Sequence, residues 1–124
     1  MTVRPSTLTL VVVDDDEHIR RAVGRLLRSL GHTVHAFESA EAYLASSCQA
    51  DCAILDIDLP GISGLELEEQ LRRLGRPMAV VFVTGHDERE FLEGVRDTRW
   101  PYLKKPVDEH GLLDAIRRAT SDQG

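Results

Sequence analysis

The sequence predicts an α/β fold: one doubly wound (βα)5 domain with a five-stranded parallel sheet and helices on both faces. Strand-like apolar runs alternate with helix-like segments along the whole chain. The runs near 8–13, 51–55 and 78–83 are almost uninterrupted in apolar residues, as is typical of strands that helices cover on both sides. The chain has 124 residues, which is the length of a single domain.

The first strand, near 8–13, leads into a helix whose apolar residues recur with the helical period. Gly31 ends this helix as the glycine that follows its last turn. A short second strand covers 33–37, and Ser39 caps a second helix that includes Tyr43. The inward residues predicted for the first helix are Ile19, Val23, Leu26, Leu27 and Leu30.

The middle of the chain contains a strand at 51–55 and a turn at 59–62. Ser63 and Glu66 have the spacing of a capping box, which predicts the start of a third helix. Gly75 closes this helix. Its predicted inward residues are Leu67, Leu71 and Leu74.

The last part of the chain contains a fourth strand at 78–83, a fourth helix that Asp87 and Glu90 open as a second capping box, and a fifth strand near 100–104. Pro101 cannot donate a ladder hydrogen bond, which places the fifth strand at an edge of the sheet. A final helix follows. The inward residues predicted for these two helices are Phe91, Val95, Leu112, Leu113 and Ile116.

Composition and charge argue against several classes of protein. The formal net charge of −6 argues against direct contact with nucleic acid, which requires a basic face. No apolar run approaches the roughly 18 residues that span a membrane, and residues 1–5 lack the apolar core of a signal peptide. We therefore expect a cytoplasmic protein without membrane contact. Cys48 and Cys52 lack companion cysteines or clustered histidines, which indicates reduced, largely buried thiols.

Polar residues follow four of the predicted strands: Asp14 and Asp15, then Asp56, Thr84 and Lys105. Ligands of open parallel sheets bind outside the carboxyl ends of the strands, so these side chains are predicted to converge on one patch. Three carboxylates, a hydroxyl and an ammonium suit a divalent cation together with a phosphoryl group. The prediction comes from their conjunction, since each stands at the corresponding end of a different strand.

The three carboxylates are predicted to bind Mg²⁺ or Mn²⁺, which prefer oxygen ligands. Gathered carboxylates repel one another, and a cation removes that cost. The alternative is that Asp14, Asp15 and Asp16 only cap the first helix, and on this segment alone the two interpretations stand equal. Asp16 itself is interpreted as a cap. For Asp58 we expect a solvated side chain and a backbone carbonyl within reach of the metal.

A carboxylate such as that of Asp56 can attack phosphorus and form an acyl phosphate. Thr84 could donate to a phosphate oxygen, Gly85 leaves room for the phosphoryl group, and Lys105 supplies a compact positive charge. Each residue alone also has a simpler interpretation: a turn aspartate, the start of a loop and a solvated lysine.

The chain resembles the receiver domain of bacterial two-component response regulators over about residues 7–120. The matching stretches are Val-Val-Asp14-Asp15-Asp-Glu-His-Ile-Arg20, Ile-Leu-Asp56-Ile-Asp-Leu-Pro60-Gly-Ile-Ser-Gly64, Val-Phe-Val-Thr84-Gly-His86 and Tyr102-Leu-Lys-Lys105-Pro106. The sequence around Ser63 and Val83 is most similar to receivers of the FixJ/NarL type, which usually precede a DNA-binding helix-turn-helix output domain. The resemblance implies a flavodoxin-like receiver fold for residues 1–124, with no output domain within them.

The resemblance implies a role for each acidic residue. Asp56 would be the phosphoacceptor, and Asp15 and Asp56 would bind Mg²⁺ directly. The backbone carbonyl of Asp58 would be a further ligand, and Asp14 would act through a coordinated water.

The resemblance also implies that Thr84 and Lys105 hold the phosphoryl oxygens and that Tyr102 is an aromatic switch residue. The peptide bond between Lys105 and Pro106 would be cis, a state that X-Pro bonds adopt far more readily than others. On phosphorylation Thr84 would move inward, and Tyr102 would follow into the space that it leaves. The face formed by the fourth predicted helix, the fifth strand and the final helix would change shape and thereby control a partner or an output domain.

These roles describe a phosphorylation-dependent signalling switch that accepts a phosphoryl group from a histidine kinase or a phosphotransfer protein. Such a protein is not an enzyme in the ordinary sense, because it catalyses only its own phosphorylation and dephosphorylation. Phosphorylation could also produce a homodimer.

Two alternatives remain open. One is a phosphatase of the haloacid dehalogenase type, for which Asp56 and Asp58 have the right spacing. In that family, however, the nucleophile ends the first strand, whereas here Asp14 and Asp15 come first. The other alternative is a receiver-shaped binding module that is never phosphorylated.

The sequence departs from the family between the fourth predicted helix and the fifth strand. Receivers of this type usually carry a Gly-Ala pair where this chain has Asp97-Thr98-Arg99-Trp100-Pro101. Arg99 is bulky where a small residue is expected beside the switch face. These differences concern the fourth helix and the dimer face, and they do not involve the phosphorylation residues.

Overall fold

A computed structural model describes residues 7–76, 78–85 and 99–121. Its five parallel strands lie in the order β2-β1-β3-β4-β5. The strands are β1 (Thr9–Val13), β2 (Thr33–Phe37), β3 (Cys52–Asp56), β4 (Ala79–Thr84) and β5 (Tyr102–Lys104). The described helices are α1 (Glu17–Ser29), α2 (Ala40–Ala45), α3 (Gly64–Arg73) and α4 (Glu109–Ser121). The predicted α/β fold is confirmed; α4 is the predicted final helix, and the helix predicted from Asp87 lies outside the described residues.

The core lies on both faces of the central strands, which explains why these strands are apolar along their length. Every residue of β3 and β4 is buried, and so are four of the five residues of β1. The outer strands β2 and β5 each expose several positions. The predicted edge position of β5 is confirmed, and Pro101 lies directly before this strand.

The helices begin and end at the capping residues that the sequence predicts. Asp16, Ser39 and Ser63 accept hydrogen bonds from backbone N–H groups in the first turns of α1, α2 and α3. The predicted capping box at the start of α3 is present. Gly31 and Gly75 follow the ends of α1 and α3 with φ values of 96° and 72°, which glycine adopts without steric cost. Local sequence chemistry therefore determines where these helices begin and end.

Two residues that were predicted to point inward lie at the surface. Leu30 is 44% exposed and Leu74 is 60% exposed. Each is the C-cap of its helix, so the helical period that would carry it to the core has already ended. The other predicted inward residues of the described helices are buried or half-buried.

The fifth strand is shorter than predicted. It begins at Tyr102, and Trp100 is buried before the strand rather than within it. The indole N–H of Trp100 donates to Oε2 of Glu68 in α3 at 3.3 Å, and Nε of Arg72 donates to the same oxygen at 2.9 Å. The side chain of Trp100 therefore contacts α3, while the carbonyl of the next residue, Pro101, accepts the N–H of Phe82 at 3.0 Å.

Two predictions from composition can be compared with the structure. Cys52 is buried and Cys48 is half-buried, and both thiols are free. None of the helices in the described part of the chain is long and apolar enough to cross a membrane.

Candidate functional site

The carboxyl ends of the strands bring the predicted polar residues to one edge of the sheet. Asp56 and Thr84 are the last residues of β3 and β4, and Asp14 and Asp15 directly follow β1. Lys105 follows β5, and its N–H donates to the carbonyl of Thr84 at 2.7 Å. The parallel register therefore makes neighbours of residues that are far apart along the chain.

Three carboxylates gather at this edge. One oxygen each from Asp14, Asp15 and Asp56 lies within 4.8 Å of the others. Asp14 and Asp56 are only 3% and 2% exposed, whereas Asp15 is exposed. Asp16 is the N-cap of α1, because two N–H groups in the first turn donate to its side chain. Asp14, whose Oδ1 accepts the N–H of Asp16 at 2.8 Å, and Asp15 lie beside Asp56.

Lys105 places a positive charge among these carboxylates. Its Nζ lies 3.2 Å from Oδ2 of Asp14 and 3.3 Å from Oδ2 of Asp56. Burial lowers the pKa of Lys105, but the negative charges of Asp56 and Asp14 outweigh burial and raise the pKa above its usual value. The ammonium therefore stays charged. The adjacent Lys104 is exposed, as predicted.

Asp56 is held in a form that resists ionisation. Its pKa is raised from the usual 3.8 to about 6, chiefly by burial and also by the charge of Asp14. The N–H of Asp58, which donates to Oδ1 of Asp56 at 2.9 Å, and the ammonium of Lys105 act in the opposite direction. One ammonium thus contacts two buried carboxylates with a third beside them. This excess of oxygen ligands and negative charge fits a hard divalent cation such as Mg²⁺.

Asp58 differs from the prediction. Its side chain is half-buried rather than solvated, and its Oδ2 accepts a hydrogen bond from the N–H of Gly85 at 3.3 Å. The contact joins the loop after β3 to the loop after β4. The side chain of Asp58 therefore helps to hold the two loops that border the carboxylate cluster.

Two residues that the sequence analysis did not assign also hold the loop after β3. A Cβ added to Gly64 would lie 2.5 Å from the carbonyl oxygen of Asp56, so only glycine fits there without backbone movement. Glu41 of α2 accepts the N–H of Ile62 at 3.2 Å, next to Gly61 with its φ of 76°. Gly64 could be noticed only as part of the matching stretch. Glu41 has no local signal, because its partner lies 21 residues away.

The predicted switch residues, Thr84 and Tyr102, lie on the adjacent strands β4 and β5, and β5 is the edge strand. Thr84 is buried at the end of β4. Tyr102 pairs with Phe82, two residues before Thr84, and is 43% exposed. The peptide bond between Lys105 and Pro106 is cis, as the resemblance implied.

Comparison with known proteins agrees with this geometry. Residues 10–117 match the family described as the response regulator receiver domain. The transcriptional regulatory protein FixJ of Azorhizobium caulinodans is 35% identical over 97% of this chain, and nodulation protein W of Bradyrhizobium diazoefficiens is 38% identical over 93%. A CheY-like receiver domain protein of Methanospirillum hungatei has a TM-score of 0.83 at 29% identity, covering 95% of this chain and 97% of that one.

The match concerns a domain of longer relatives. The chain spans 60% of the length of FixJ and 52% of the length of nodulation protein W. The matching family is the receiver family and not the haloacid dehalogenase phosphatases, which decides between those two interpretations. The chain belongs to the response regulator receiver domain family, whose members are phosphorylation-dependent signalling switches rather than conventional enzymes.

Proposed function

We propose that Asp56 accepts a phosphoryl group from a phosphohistidine of a histidine kinase or a phosphotransfer protein, and that residues 7–120 form the receiver domain that does so. One observation carries the proposal. The buried carboxylate of Asp56 ends β3 within 3.3 Å of the ammonium of Lys105 and beside the carboxylates of Asp14 and Asp15. A nucleophile, a positive charge and a set of oxygen ligands for a cation therefore meet at one edge of the sheet.

The chemistry is transfer of a phosphoryl group between two nucleophiles. A carboxylate oxygen of Asp56 forms a bond to phosphorus, while the P–N bond of phosphohistidine breaks and its electron pair returns to the imidazole. The product is an acyl phosphate. The N–H of Asp58 orients the Asp56 carboxylate, Lys105 stabilises the charge on the phosphoryl oxygens, and the hydroxyl of Thr84 donates to them.

The carboxylates would hold Mg²⁺ or Mn²⁺. Asp15 and Asp56 would bind the ion directly, with the backbone carbonyl of Asp58, and Asp14 would act through a water. When bound, such an ion supplies positive charge that offsets the negative charge of the phosphoryl group and the carboxylates. Lys105 alone leaves the three carboxylates with an excess of negative charge, which would repel a phosphoryl donor.

Phosphorylation then changes the surface near β5. The phosphoryl group adds roughly −1.5 to −2 charge and new hydrogen-bond acceptors. Thr84 moves toward it and Tyr102 turns inward, which shifts the population between two existing states. The altered face, which includes β5 and α4, controls a partner protein or a DNA-binding output domain of the kind that transcriptional regulators carry, and it can support a homodimer. The same residues of the domain later hydrolyse the acyl phosphate.

Labelling with acetyl phosphate and Mg²⁺, followed by the mass of the intact protein, tests the phosphoacceptor. We expect one phosphoryl group on the wild type and none on Asp56→Asn. Asp51→Asn is the matched control, because it makes the same change directly before β3, at the opposite end of that strand, and should be labelled normally. Stoichiometric labelling of Asp56→Asn would show the assignment to be wrong, and absence of labelling from the wild type would favour a binding module that is never phosphorylated.

A further inference from the structure

Arg20 lies in the first turn of α1, close to the loop that carries Asp14 and Asp15. Its backbone N–H donates to the carbonyl of Asp16, the N-cap residue, at 3.0 Å. Side chains of a helix point back toward its N-terminus, which directs a long side chain in the first turn onto the chain before the helix. Nη1 of Arg20 donates to the carbonyl oxygen of Asp14 at 2.7 Å. This contact therefore joins α1 to the loop after β1.

The contact of Arg20 differs from that of the neighbouring arginine. Arg20 is half-buried, and no carboxylate in the described part of the chain forms an ion pair with it. The next residue, Arg21, is exposed and pairs with Glu17 one turn earlier, at 3.3 Å. Hydrogen bonds from charged donors are shorter and stronger than those between neutral groups. The guanidinium of Arg20 is therefore a firm contact for the backbone of the loop.

The other polar groups of Asp14 have partners of their own. Its N–H donates to the last carbonyl of β2 at 3.1 Å. Its Oδ1 accepts the N–H of Asp16 at 2.8 Å, and its Oδ2 lies 3.2 Å from Nζ of Lys105. Of the described residues, Arg20 is the one whose side chain donates to the peptide group between Asp14 and Asp15. The effect of Arg20 should therefore appear at Asp15 more than at Asp14.

The orientation of Asp15 depends on that peptide group. The side chain of Asp15 is exposed, and none of the described residues forms a hydrogen bond or an ion pair with it. One of its oxygens nevertheless lies within 4.8 Å of oxygens of Asp14 and Asp56. The carbonyl that Arg20 contacts belongs to the planar peptide unit that ends at Cα of Asp15. Holding this carbonyl therefore restricts the direction in which the carboxylate of Asp15 leaves the backbone.

We propose that Arg20 is a positioning residue for the metal site: by holding the carbonyl of Asp14, it orients the carboxylate of Asp15 toward the ion. Arg20 itself contacts neither the ion nor the phosphoryl group. A ligand that is held in place before the ion binds loses less conformational entropy on binding, which raises the affinity. The proposal rests on the proposed function, because Asp15 is assigned there as a direct ligand of Mg²⁺.

Charge and positioning predict opposite effects when the guanidinium is removed. Arg20 is a cation near the carboxylate cluster, so its charge alone opposes the binding of Mg²⁺, and its loss would strengthen that binding. If Arg20 positions Asp15, its loss weakens the binding instead. The sign of the change in Mg²⁺ affinity therefore separates the two roles.

Isothermal titration calorimetry with Mg²⁺ on the full chain tests the proposal. Arg20→Met keeps an unbranched stem but removes the donor and the charge, and it should weaken Mg²⁺ binding by about tenfold. Arg20→Lys retains a charged donor for the carbonyl and should stay within about threefold of the wild type. Arg21→Met is the matched control, because it removes the same charge from an exposed ion pair at the next position, and it should change the affinity by at most about twofold.

Three results of the calorimetry would overturn the proposal. One is Mg²⁺ binding in Arg20→Met that is as tight as in the wild type or tighter. The others are losses of affinity in Arg21→Met or in Arg20→Lys that equal the loss in Arg20→Met. The first result would leave only the effect of charge, and the others would show that the hydrogen bond to Asp14 is not what matters.

The backbone amide of Asp15 provides a measurement that requires neither metal nor phosphorylation. In the presence of EDTA, ¹⁵N relaxation should give this amide an order parameter of about 0.85 in the wild type and below about 0.6 in Arg20→Met. The amides of α3 should keep their wild-type values, which distinguishes a loosened loop from a general loss of structure. An order parameter of Asp15 that is unchanged in Arg20→Met would contradict the proposal.

Labelling with acetyl phosphate separates this proposal from the proposed function. In Arg20→Met the Mg²⁺ concentration that gives half of the maximal labelling rate should rise by about tenfold, while the rate at saturating Mg²⁺ stays close to that of the wild type. A lower rate at saturation with an unchanged half-maximal concentration would contradict the role of Arg20 alone. A wild type that binds Mg²⁺ but is not labelled would contradict the phosphoacceptor assignment, while calorimetry would still decide the role of Arg20.

Discussion

The carboxylate of Asp56 lies in a buried environment that disfavours its ionisation. The side chain is almost fully buried, and burial together with Asp14 raises its pKa to about 6 despite the ammonium of Lys105. Groups whose ionisation is disfavoured in this way often mark functional sites, because reactivity and stability make different demands on the same residue. We therefore expect the ionised carboxylate of Asp56 to lower the free energy of unfolding.

We predict that the metal-free protein loses stability as the pH rises from about 4 to about 6. In this range native Asp56 still binds its proton, whereas the unfolded chain releases it near 3.8, so the native state binds more protons and the free energy of unfolding falls with rising pH. Asp56→Asn should remove this dependence and stabilise the protein at neutral pH by on the order of 2 kcal/mol. Urea unfolding in the presence of EDTA measures both effects.

The control for this prediction is Asp51→Asn. Asp51 is exposed and accepts the N–H of Thr9 at 2.8 Å, a hydrogen bond that asparagine can keep. Its unfolding should show the same pH dependence as the wild type. A pH dependence that persists unchanged in Asp56→Asn would contradict the prediction.

Lys105 should matter for the phosphoryl group more than for the metal. Lys105 is a cation and supplies no ligand to the ion, so Lys105→Ala should not weaken Mg²⁺ binding, while it uncouples phosphorylation from the conformational change. Mg²⁺ titration followed by calorimetry, and the NMR spectrum with and without beryllofluoride, measure the two effects. Lys104→Ala, which changes the exposed neighbouring lysine, should leave both unchanged. A collapse of Mg²⁺ affinity in Lys105→Ala would show that its role is assigned wrongly.

At the scale of the elements, α3 connects the site to the edge of the sheet. Its first residue, Gly64, packs on the carbonyl of Asp56, and Glu68 one turn later accepts the indole N–H of Trp100 just before β5. Arg72 pairs with the same carboxylate. The helix thus contacts both the strand of the proposed phosphoacceptor and the chain that leads into the switch strand.

We predict that Glu68→Ala destabilises the protein by about 2 to 3 kcal/mol, because it leaves the buried indole N–H of Trp100 without its acceptor. Trp100 is the single tryptophan of the chain, so its emission spectrum should shift to longer wavelength as water reaches the indole. Glu69→Ala is the control, since Glu69 makes an exposed ion pair with Arg73. That change should cost at most about 1 kcal/mol and leave the emission spectrum unchanged. Equal effects of the two variants would contradict the importance of the Glu68–Trp100 contact.

At the scale of the whole molecule, the site depends on the fold being intact. Four strands and the residues after them must be in register for the carboxylates and Lys105 to meet. A ligand that binds only this arrangement stabilises the folded state by mass action. The stability of the domain and the occupancy of the site are therefore linked.

We predict that Mg²⁺ stabilises the protein at neutral pH by about 2.7 kcal/mol when its concentration is roughly one hundred times the dissociation constant. Thermal unfolding at increasing Mg²⁺ concentrations measures this. Asp15→Asn should lose most of the stabilisation, because it removes a proposed direct ligand. Asp16→Asn should keep it, since Asp16 caps α1 and asparagine caps helices equally well. Stabilisation by Mg²⁺ that is equal in Asp15→Asn and the wild type would place the ion elsewhere.

The amino-acid sequence by itself determined the elements and the residues that gather at the carboxyl edge. Capping residues such as Ser39 and Ser63 act within one helical turn, and apolar runs identify buried strands without knowledge of their neighbours. The proximity of Asp14, Asp56 and Lys105 could be predicted, because all strands of a parallel sheet end at the same edge. These features were predictable because each depends on local chemistry or on one general rule of the fold.

Only the tertiary structure decided the contacts between distant loops and helices. The hydrogen bonds from Gly85 to Asp58, from Ile62 to Glu41 and from Trp100 to Glu68 join residues with no periodic relation in the sequence. The exposure of Leu30 and Leu74 depends likewise on where helices end and how they pack. Such contacts arise from three-dimensional packing, for which neighbouring residues in the sequence carry no signal.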